Sequence, residues 1–237
     1  MNTKGYFNWI GYLGLAMALS FAPSFGPSAS VADDAKDTTQ LVEKARLTLD
    51  DFVADPKMAA FGDLLKRAKG VFIAPQVLKG AFVLGVSGGS GLLLVRHAST
   101  GQWCGPAFYT IGEASFGVQI GGEASEVVLL AMTERGVIAF MQNSMKLGVN
   151  AGIAVGPVGV GSSAATANLS ADILIFSRSK GLYGGVALDG AVVLSRGDWN
   201  RAYYGQTASP SDILIRRTVS NGQASELISQ VARRTCC

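Results

Sequence analysis

The residues of this chain that can do chemistry are few, and their spacing does not build a reaction centre. Ser87 lies in a G-x-S-x-G pattern, residues 85–89, that matches the nucleophile elbow of α/β-hydrolases. That elbow needs a strand before the serine, a helix after it and a histidine late in the chain. Here residues 91–96 are strand-like, and the single histidine, His97, follows ten positions after Ser87. We therefore interpret Gly88-Gly89 as a hairpin turn and His97 as a loop residue, and we predict no catalytic residue.

Cofactor and metal sites are equally unsupported by the spacing. The glycines of residues 148–161 do not have dinucleotide-binding spacing, and no Gly-Lys-Ser/Thr phosphate loop occurs. Cys104, Cys236 and Cys237 do not match a zinc site. In an exported protein an odd count leaves at least one thiol unpaired or intermolecular, and the pairing stays open. The sequence therefore predicts a protein that is not an enzyme and that holds no metal or cofactor.

The basic residues are the one group with a functional interpretation. Four of them crowd a predicted junction between helix and sheet, and two flank a later glycine turn: Lys66, Arg67, Lys69 and Lys79, then Arg178 and Lys180. A solvated rim that complements a helix dipole is the simpler interpretation. The functional one is a cationic surface that receives lipid phosphates beside an amphipathic helix. A net charge of +3 lacks the dense basic stripe of nucleic-acid binders, so we exclude that class of partner.

Two helices are predicted in residues 33–70. The first carries an apolar stripe at helical spacing: Leu41, Ala45, Leu49 and Phe52. The second begins with Asp55 as N-cap and Pro56 in the first turn, and we expect it to end at Gly70.

Residues 71–205 are predicted to form mainly β structure, in which short apolar runs are separated by glycine. Candidate strands are Val71–Ala74, Ala81–Gly85, Gly91–Arg96, Phe108–Ile111, Ser115–Ile120, Glu126–Met132, Ala151–Val155, Asp172–Ser177 and Gly185–Ser195. Thr100-Gly101 and Asp189-Gly190 are predicted turns, and Thr133 is predicted to cap a short helix. Helices follow in residues 209–235. The fold class is α+β, with a glycine-rich, mainly antiparallel β core between amphipathic N-terminal helices and C-terminal helices.

The first 32 residues have the pattern of a signal peptide. Lys4 precedes an apolar run, Ile10–Phe21, which is shorter than the roughly 20 residues of a membrane span. Small residues before position 33 indicate cleavage after Ala32. We expect residues 33–237 to form one exported domain, periplasmic or envelope-associated in a Gram-negative bacterium. An uncleaved N-terminal anchor is the alternative.

Several segments occur in the order found in one known family. They are Lys69–Pro75, Lys79–Phe82, Trp103–Phe108, Phe116–Gly121, Gly156–Gly159, Ser177–Val186 and Tyr203–Gly205. In composition and order these segments resemble the SYLF lipid-binding domain, also known from a yeast actin-patch protein. The resemblance covers roughly residues 40 to 217.

The resemblance implies non-enzymatic binding. Eukaryotic members bind phosphoinositides and other acidic phospholipids, and some bind actin, which is a partner here by family analogy alone. The expected ligand of this chain is an anionic phospholipid or membrane surface. Two alternatives remain open: an envelope-associated assembly protein with a protein partner or a second copy, and a carrier of one lipid in an apolar cavity.

Overall fold

The computed structural model describes residues 31–81, 84–116, 121–159, 163, 168, 170–179, 188 and 190–236. Five α-helices occur in these residues: α1 (Val31–Ala54), α2 (Ala59–Arg67), α3 (Glu134–Phe140), α4 (Gly197–Tyr204) and α5 (Ser225–Thr235). Short 3-10 turns precede α2 (Pro56–Met58) and α5 (Gly222–Ala224), and a π-helical turn (Asp212–Arg216) follows α4. No helix in this part of the chain combines the length and apolar character needed to cross a membrane.

The strands form one sheet in the order β5-β8-β3-β2-β1-β4-β7-β6. Their bounds are β1 (Gly70–Ala81), β2 (Leu84–Arg96), β3 (Trp103–Phe116), β4 (Gly121–Ala131), β5 (Ser144–Lys146), β6 (Ile153–Val155), β7 (Ile173–Ser179) and β8 (Val192–Ser195). The pairs are antiparallel except β6 with β7, which is parallel. The predicted α+β class with a mainly antiparallel sheet is therefore confirmed.

Both faces of the sheet are covered where the apolar runs lie. Leu92 and Leu94 belong to a core with α1, α2 and α5, whereas Leu93 and Val95 belong to a second core on the opposite face, with α3. A strand buried on both faces has a continuous apolar run, because neither alternate position needs to be polar. This explains why the sequence shows Leu92–Val95 without polar residues.

The predicted hairpin turn at Gly88-Gly89 is wrong, because both glycines lie inside β2. The pairing of β1 with β2 shifts register between Ile73 and Gln76, as at a β-bulge, and resumes with Gln76 opposite Ser90 and Val77 opposite Gly89. A Cβ at Gly89 would lie 2.2 Å from the carbonyl oxygen of Gln76. The glycine thus permits a close approach of two strands rather than a reversal of the chain.

The central strands are consequently longer than the predicted ones. The apolar run of residues 91–96 is the second half of β2, which already begins at Leu84, and the runs around 108–111 and 115–116 are joined in β3. The predicted strand Ala81–Gly85 is wrong, because Ala81 ends β1 and pairs with Gly85 of the antiparallel β2. The predicted strands of residues 115–120 and 185–195 fall partly outside the described residues. Asp189 of the second predicted turn also lies outside them. The turn at Thr100-Gly101 is confirmed, with Gly101 at φ +68°.

The helix predictions hold for the packed faces but not for every boundary. The stripe of α1 is buried, Asp55 accepts a hydrogen bond from the amide of Lys57, and Thr133 caps α3 through the amide of Gly136. The predicted stop at Gly70 is wrong, since α2 ends at Arg67 and Gly70 opens β1. A Cβ at Gly70 would meet the carbonyl oxygen of Leu94 at 3.4 Å, which is close to ordinary van der Waals contact.

Candidate functional site

Four basic residues meet at one end of the sheet. Lys66 and Arg67 close α2, Lys69 immediately precedes β1, and Arg96 is the last residue of β2. Because β1 and β2 are antiparallel, the start of one strand lies beside the end of the other. The backbone amide of Arg96 donates to the carbonyl oxygen of Lys69 at 2.8 Å. The guanidinium Nη1 of Arg96 donates to the carbonyl oxygen of Lys66 at 3.2 Å. We call these four residues the basic end.

Arg96 is the member of the basic end that the sequence prediction missed. Its signal was present, since a strand ending at Arg96 that pairs antiparallel with the strand after Lys69 must bring the two residues together. Arg96 was predicted only as the end of a strand, without regard to the residues that the strand pairing would place beside it.

The carboxylates beside the basic end lie on the surface. Lys66 pairs with Asp63 at 2.9 Å and Lys69 pairs with Glu134 at 3.1 Å. All four side chains are exposed, and exposed pairs of this kind contribute only about 0–1 kcal/mol. Arg67 is exposed and makes no ion pair or hydrogen bond with a described residue. Anionic groups from outside can therefore compete for these cations at little cost.

His97 lies beside this end, in the turn between β2 and β3. Its Nδ1 is 3.1 Å from the Ser99 hydroxyl and 3.3 Å from the Thr100 hydroxyl. These local contacts order the turn, in agreement with the interpretation of His97 as a loop residue.

Arg178 has a different environment from the basic end. It contacts Asp51 at 2.7 Å and Glu126 at 2.6 Å through Nη2, and its Nε donates to Glu126 at 2.7 Å. Its guanidinium also lies 5.6 Å from the centre of the Phe52 ring. The side chain is 24% exposed and joins α1 to β4 and β7. Two carboxylates neutralise it, so its first role is to hold the helix on the sheet.

Lys79 lies near the far end of β1, ten residues from Lys69, which corresponds to roughly 30 Å along a strand. Its cross-strand neighbours are Glu123 in β4 and Ser87 in β2. The structure therefore does not bring Lys79 to the basic end, and it places a carboxylate beside it. Lys180, the sixth predicted site residue, lies outside the described residues.

The remaining chemical candidates do not assemble. Ser87 lies within β2, its Oγ is buried without a hydrogen-bond partner among the described residues, and a strand continues on both sides of it. Cys104 is partly buried and Cys236 exposed, both as free thiols, and Cys237 lies outside the described residues. Within the described ranges no three His, Cys, Asp or Glu side chains are grouped so as to hold a metal ion.

Comparison with known proteins gives the context of this site. Residues 112–234 match the family described as Ysc84, Las17-binding protein actin regulator. The human SH3 domain-containing YSC84-like protein 1 is 34% identical over 166 residues, which are 69% of this chain and 48% of the human protein. Protein YSC84 of Saccharomyces cerevisiae is 34% identical over 159 residues, 65% of this chain and 33% of the yeast protein. The chain thus spans about half or less of the length of these relatives.

The family match covers more than half of the 237 residues, and it confirms the resemblance inferred from the ordered segments. The family's description denotes binding and regulation rather than a chemical reaction. The chain belongs to the Ysc84 (SYLF) family of binding proteins.

Proposed function

We propose that this protein is a non-enzymatic, peripheral module that binds anionic phospholipid through its basic end. The observation that carries the proposal is the convergence of Lys66, Arg67, Lys69 and Arg96 on one exposed end of the sheet. Lipid phosphates carry the complementary charge. The SYLF resemblance adds support, since it implies binding to acidic phospholipids.

The electrostatic contribution is large enough to matter. A basic side chain close to an anionic bilayer contributes about 1 kcal/mol. The three exposed members, Lys66, Arg67 and Lys69, give roughly 3 kcal/mol, from which the exposed partners Asp63 and Glu134 subtract a part. Arg96 adds less, because it is half-buried and its guanidinium donates to the carbonyl oxygens of Lys66 and Gly101. Binding of this origin weakens as ionic strength rises, because salt screens exposed charges within about 10 Å at 0.1 M.

Sedimentation with liposomes tests the proposal. We expect the protein to bind vesicles rich in phosphatidylglycerol or cardiolipin and to remain in solution with neutral phosphatidylcholine vesicles. Reversal of three charges, Lys66→Glu, Arg67→Glu and Lys69→Glu, should abolish the binding and its salt dependence, because attraction is replaced by repulsion.

A matched control has the same change of net charge elsewhere. Lys36, Lys146 and Arg201 are exposed and lie on α1, β5 and α4. Their reversal to Glu should leave most of the binding intact. Equal binding to neutral and anionic vesicles, or equal losses in the two triple variants, would contradict a localised basic site.

The proposed setting is the periplasmic side of a bacterial envelope. Support for export comes from the sequence of residues 1–32; residues 1–30 lie outside the described residues, and α1 begins at Val31. In this setting phosphatidylglycerol and cardiolipin are the relevant anionic lipids. Fusion of residues 1–32 to a reporter that is active only after export tests this point, and a reporter retained in the cytoplasm would argue against it.

A second candidate function is assembly with another protein or with a second copy. The family's description, Las17-binding protein, points to a protein partner. Leu47 and Leu78 are each 54% exposed beside grooves between α1 and the sheet. Light scattering with and without reductant tests self-association. If oligomers form, Leu47→Glu with Leu78→Glu should yield monomers; a reductant-sensitive oligomer would implicate Cys236 instead.

A carrier role is the remaining alternative to surface binding. Native mass spectrometry of the purified protein distinguishes the two, because a carrier retains one lipid molecule per chain. Absence of a co-purified lipid, together with vesicle binding, supports the surface mode.

A further inference from the structure

A cavity of about 510 Å³ lies between α1 and α5. This volume falls within the roughly 300–1,000 Å³ that small-molecule sites have. Three arginines line it, Arg46 from α1 and Arg233 and Arg234 from the last turn of α5. None of these residues belongs to the basic end, so substitutions can alter the cavity and the basic end separately.

The arginines of this cavity are only loosely paired. Arg46 donates from Nε to Glu43 at 3.2 Å, and its other contacts with carboxylates are longer, 3.8 Å to Asp50 and 3.9 Å to Glu226. Arg234 approaches Asp50 at 3.4 Å. Arg233 has no ion pair or hydrogen bond with a described residue. Each guanidinium carries five N–H donors in a rigid fork. Most of these donors are unused by the described residues, and a fork of this shape suits the paired oxygens of a phosphate.

The same cavity also offers acceptors. The carboxylates of Asp50 and Glu226 line it beside the arginines, and so does Gln230 from the middle of α5. Gln230 is 5% exposed and donates from Nε2 to the carbonyl oxygen of Arg46 at 3.3 Å. Its Oε1 is buried and accepts no hydrogen bond from a described residue. A buried acceptor without a partner is rare in folded proteins and costs free energy until a donor satisfies it.

Charge and hydrogen-bonding capacity together select the ligand. A bare anion would be attracted by three guanidinium groups but would face two carboxylates. A ligand that carries a phosphate and neighbouring hydroxyl groups can bind both the arginines and the acceptors of the cavity. The phosphate accepts from the guanidinium groups, and the hydroxyls donate to carboxylate and amide oxygens. We propose that this α1/α5 cavity binds a phosphorylated polyol of the glycerophosphate class, with the phosphate at Arg233 and Arg234 and the hydroxyls at Asp50, Glu226 and Gln230.

Calorimetric titration of the purified protein with sn-glycerol 3-phosphate tests the site, with inorganic phosphate and glycerol as separate titrants. We expect saturable binding of sn-glycerol 3-phosphate, weaker binding of inorganic phosphate and none of glycerol. The variant Arg233→Gln with Arg234→Gln should weaken binding about tenfold or more, as loss of charge-assisted, forked contacts predicts. Arg216→Gln with Arg217→Gln removes the same charge from an exposed site outside the cavity and should leave binding unchanged.

A second variant tests the polyol part without removing charge. Gln230→Met is close in size and deletes the unpaired Oε1. It also removes the long Nε2 hydrogen bond to the carbonyl oxygen of Arg46, but that oxygen lies in the interior of α1 and keeps its helical hydrogen bond, so the fold should be retained. It should lower the affinity for sn-glycerol 3-phosphate toward that for inorganic phosphate, while the affinity for inorganic phosphate stays the same. Equal affinities for the two titrants in the original protein would overturn the polyol assignment.

Vesicles containing phosphatidylglycerol distinguish the two sources of this chemistry. If the free phosphate ester binds and competes with the vesicles, the cavity accepts both sources. If it does not bind but vesicle binding falls in the Arg233/Arg234 variant and not in the Arg216/Arg217 control, the ligand is the lipid headgroup. Absence of saturable binding to either source, or equal losses in variant and control, would overturn the site while leaving the basic end to be judged by its own variants.

Discussion

Gly88 and Gly89 are adjacent in β2, yet an added methyl group should have opposite effects at the two positions. A Cβ at Gly89 would lie 2.2 Å from the carbonyl oxygen of Gln76 and 3.0 Å from the Cα of Val77. Both atoms belong to the backbone of β1 beside its bulge, so the two strands would have to separate. A Cβ at Gly88 would have its nearest neighbour, the carbonyl oxygen of Ile111, at 3.8 Å, which is ordinary contact.

The magnitudes depend on these distances. Overpacking costs about 1–3 kcal/mol, and the clash here is with backbone atoms that no rotamer change can move, so we expect Gly89→Ala to cost about 3 kcal/mol of unfolding free energy. Gly88→Ala reduces the freedom of the unfolded chain and should stabilise by about 0.4–1 kcal/mol. Since about 1 kcal/mol shifts the unfolding temperature of a chain of this size by about 2–4 °C, the two variants should differ by roughly 10 °C.

Thermal unfolding of the original protein and the two variants, followed by circular dichroism, measures this difference. Each of the two variants is a control for the other, because both replace a glycine of the same strand by alanine and are measured in the same buffer. Equal shifts in the two variants, or a larger loss for Gly88→Ala, would refute the assignment of these glycines to the interior of a bulged strand pair.

Three further substitutions test buried polar contacts by urea unfolding. The Thr133 hydroxyl donates to the Asp172 carboxylate at 2.6 Å and holds the pKa of this carboxyl below its usual value. The carboxylate therefore stabilises the fold at neutral pH, and this stabilisation is lost as the pH falls and Asp172 is protonated. In Asp172→Asn the free energy of unfolding should consequently decrease less below about pH 5 than in the original protein. Arg178→Gln should cost about 1–3 kcal/mol without weakening vesicle binding of the folded protein. Asn200→Ala should also cost about 1–3 kcal/mol, because the buried amide of Phe108 loses its acceptor at 2.9 Å.

Local patterns in the sequence predicted the parts of the fold that local physics determines. The apolar stripe that includes Leu49 and Phe52 correctly predicted the packed face of α1. Asp55 and Thr133 correctly predicted two helix starts, because an N-cap side chain accepts hydrogen bonds from amides two or three residues away. The apolar run Leu92–Val95 gave the buried part of β2. Each of these features depends on residues close together in the chain.

Patterns in the sequence could not show what a distant residue decides. Gly89 is required by a bulge in the neighbouring strand, and no pattern around Gly89 itself distinguishes this need from that of a turn. Arg178 pairs with Asp51, which lies 127 positions away in the sequence. The residues next to Arg178 in the chain therefore could not indicate that its charge is paired. For the same reason, a cluster of charges in the sequence did not establish a cluster in space.

The availability of a cation for binding depends on what already surrounds it. Lys66 and Lys69 each have a partner, but both members of each pair are exposed. When such a pair separates, hydration of the two charges compensates for most of the lost interaction energy. Arg178 is partly buried and held by two carboxylates, so moving it toward a membrane would leave Asp51 and Glu126 without their cation. That loss, about 1.5–3 kcal/mol for a hydrogen bond to a charged group, exceeds the about 1 kcal/mol that one basic residue gains at an anionic surface. If the proposed phospholipid binding occurs, we therefore expect Lys66 and Lys69 to exchange their partners for lipid phosphate and Arg178 to keep its carboxylates.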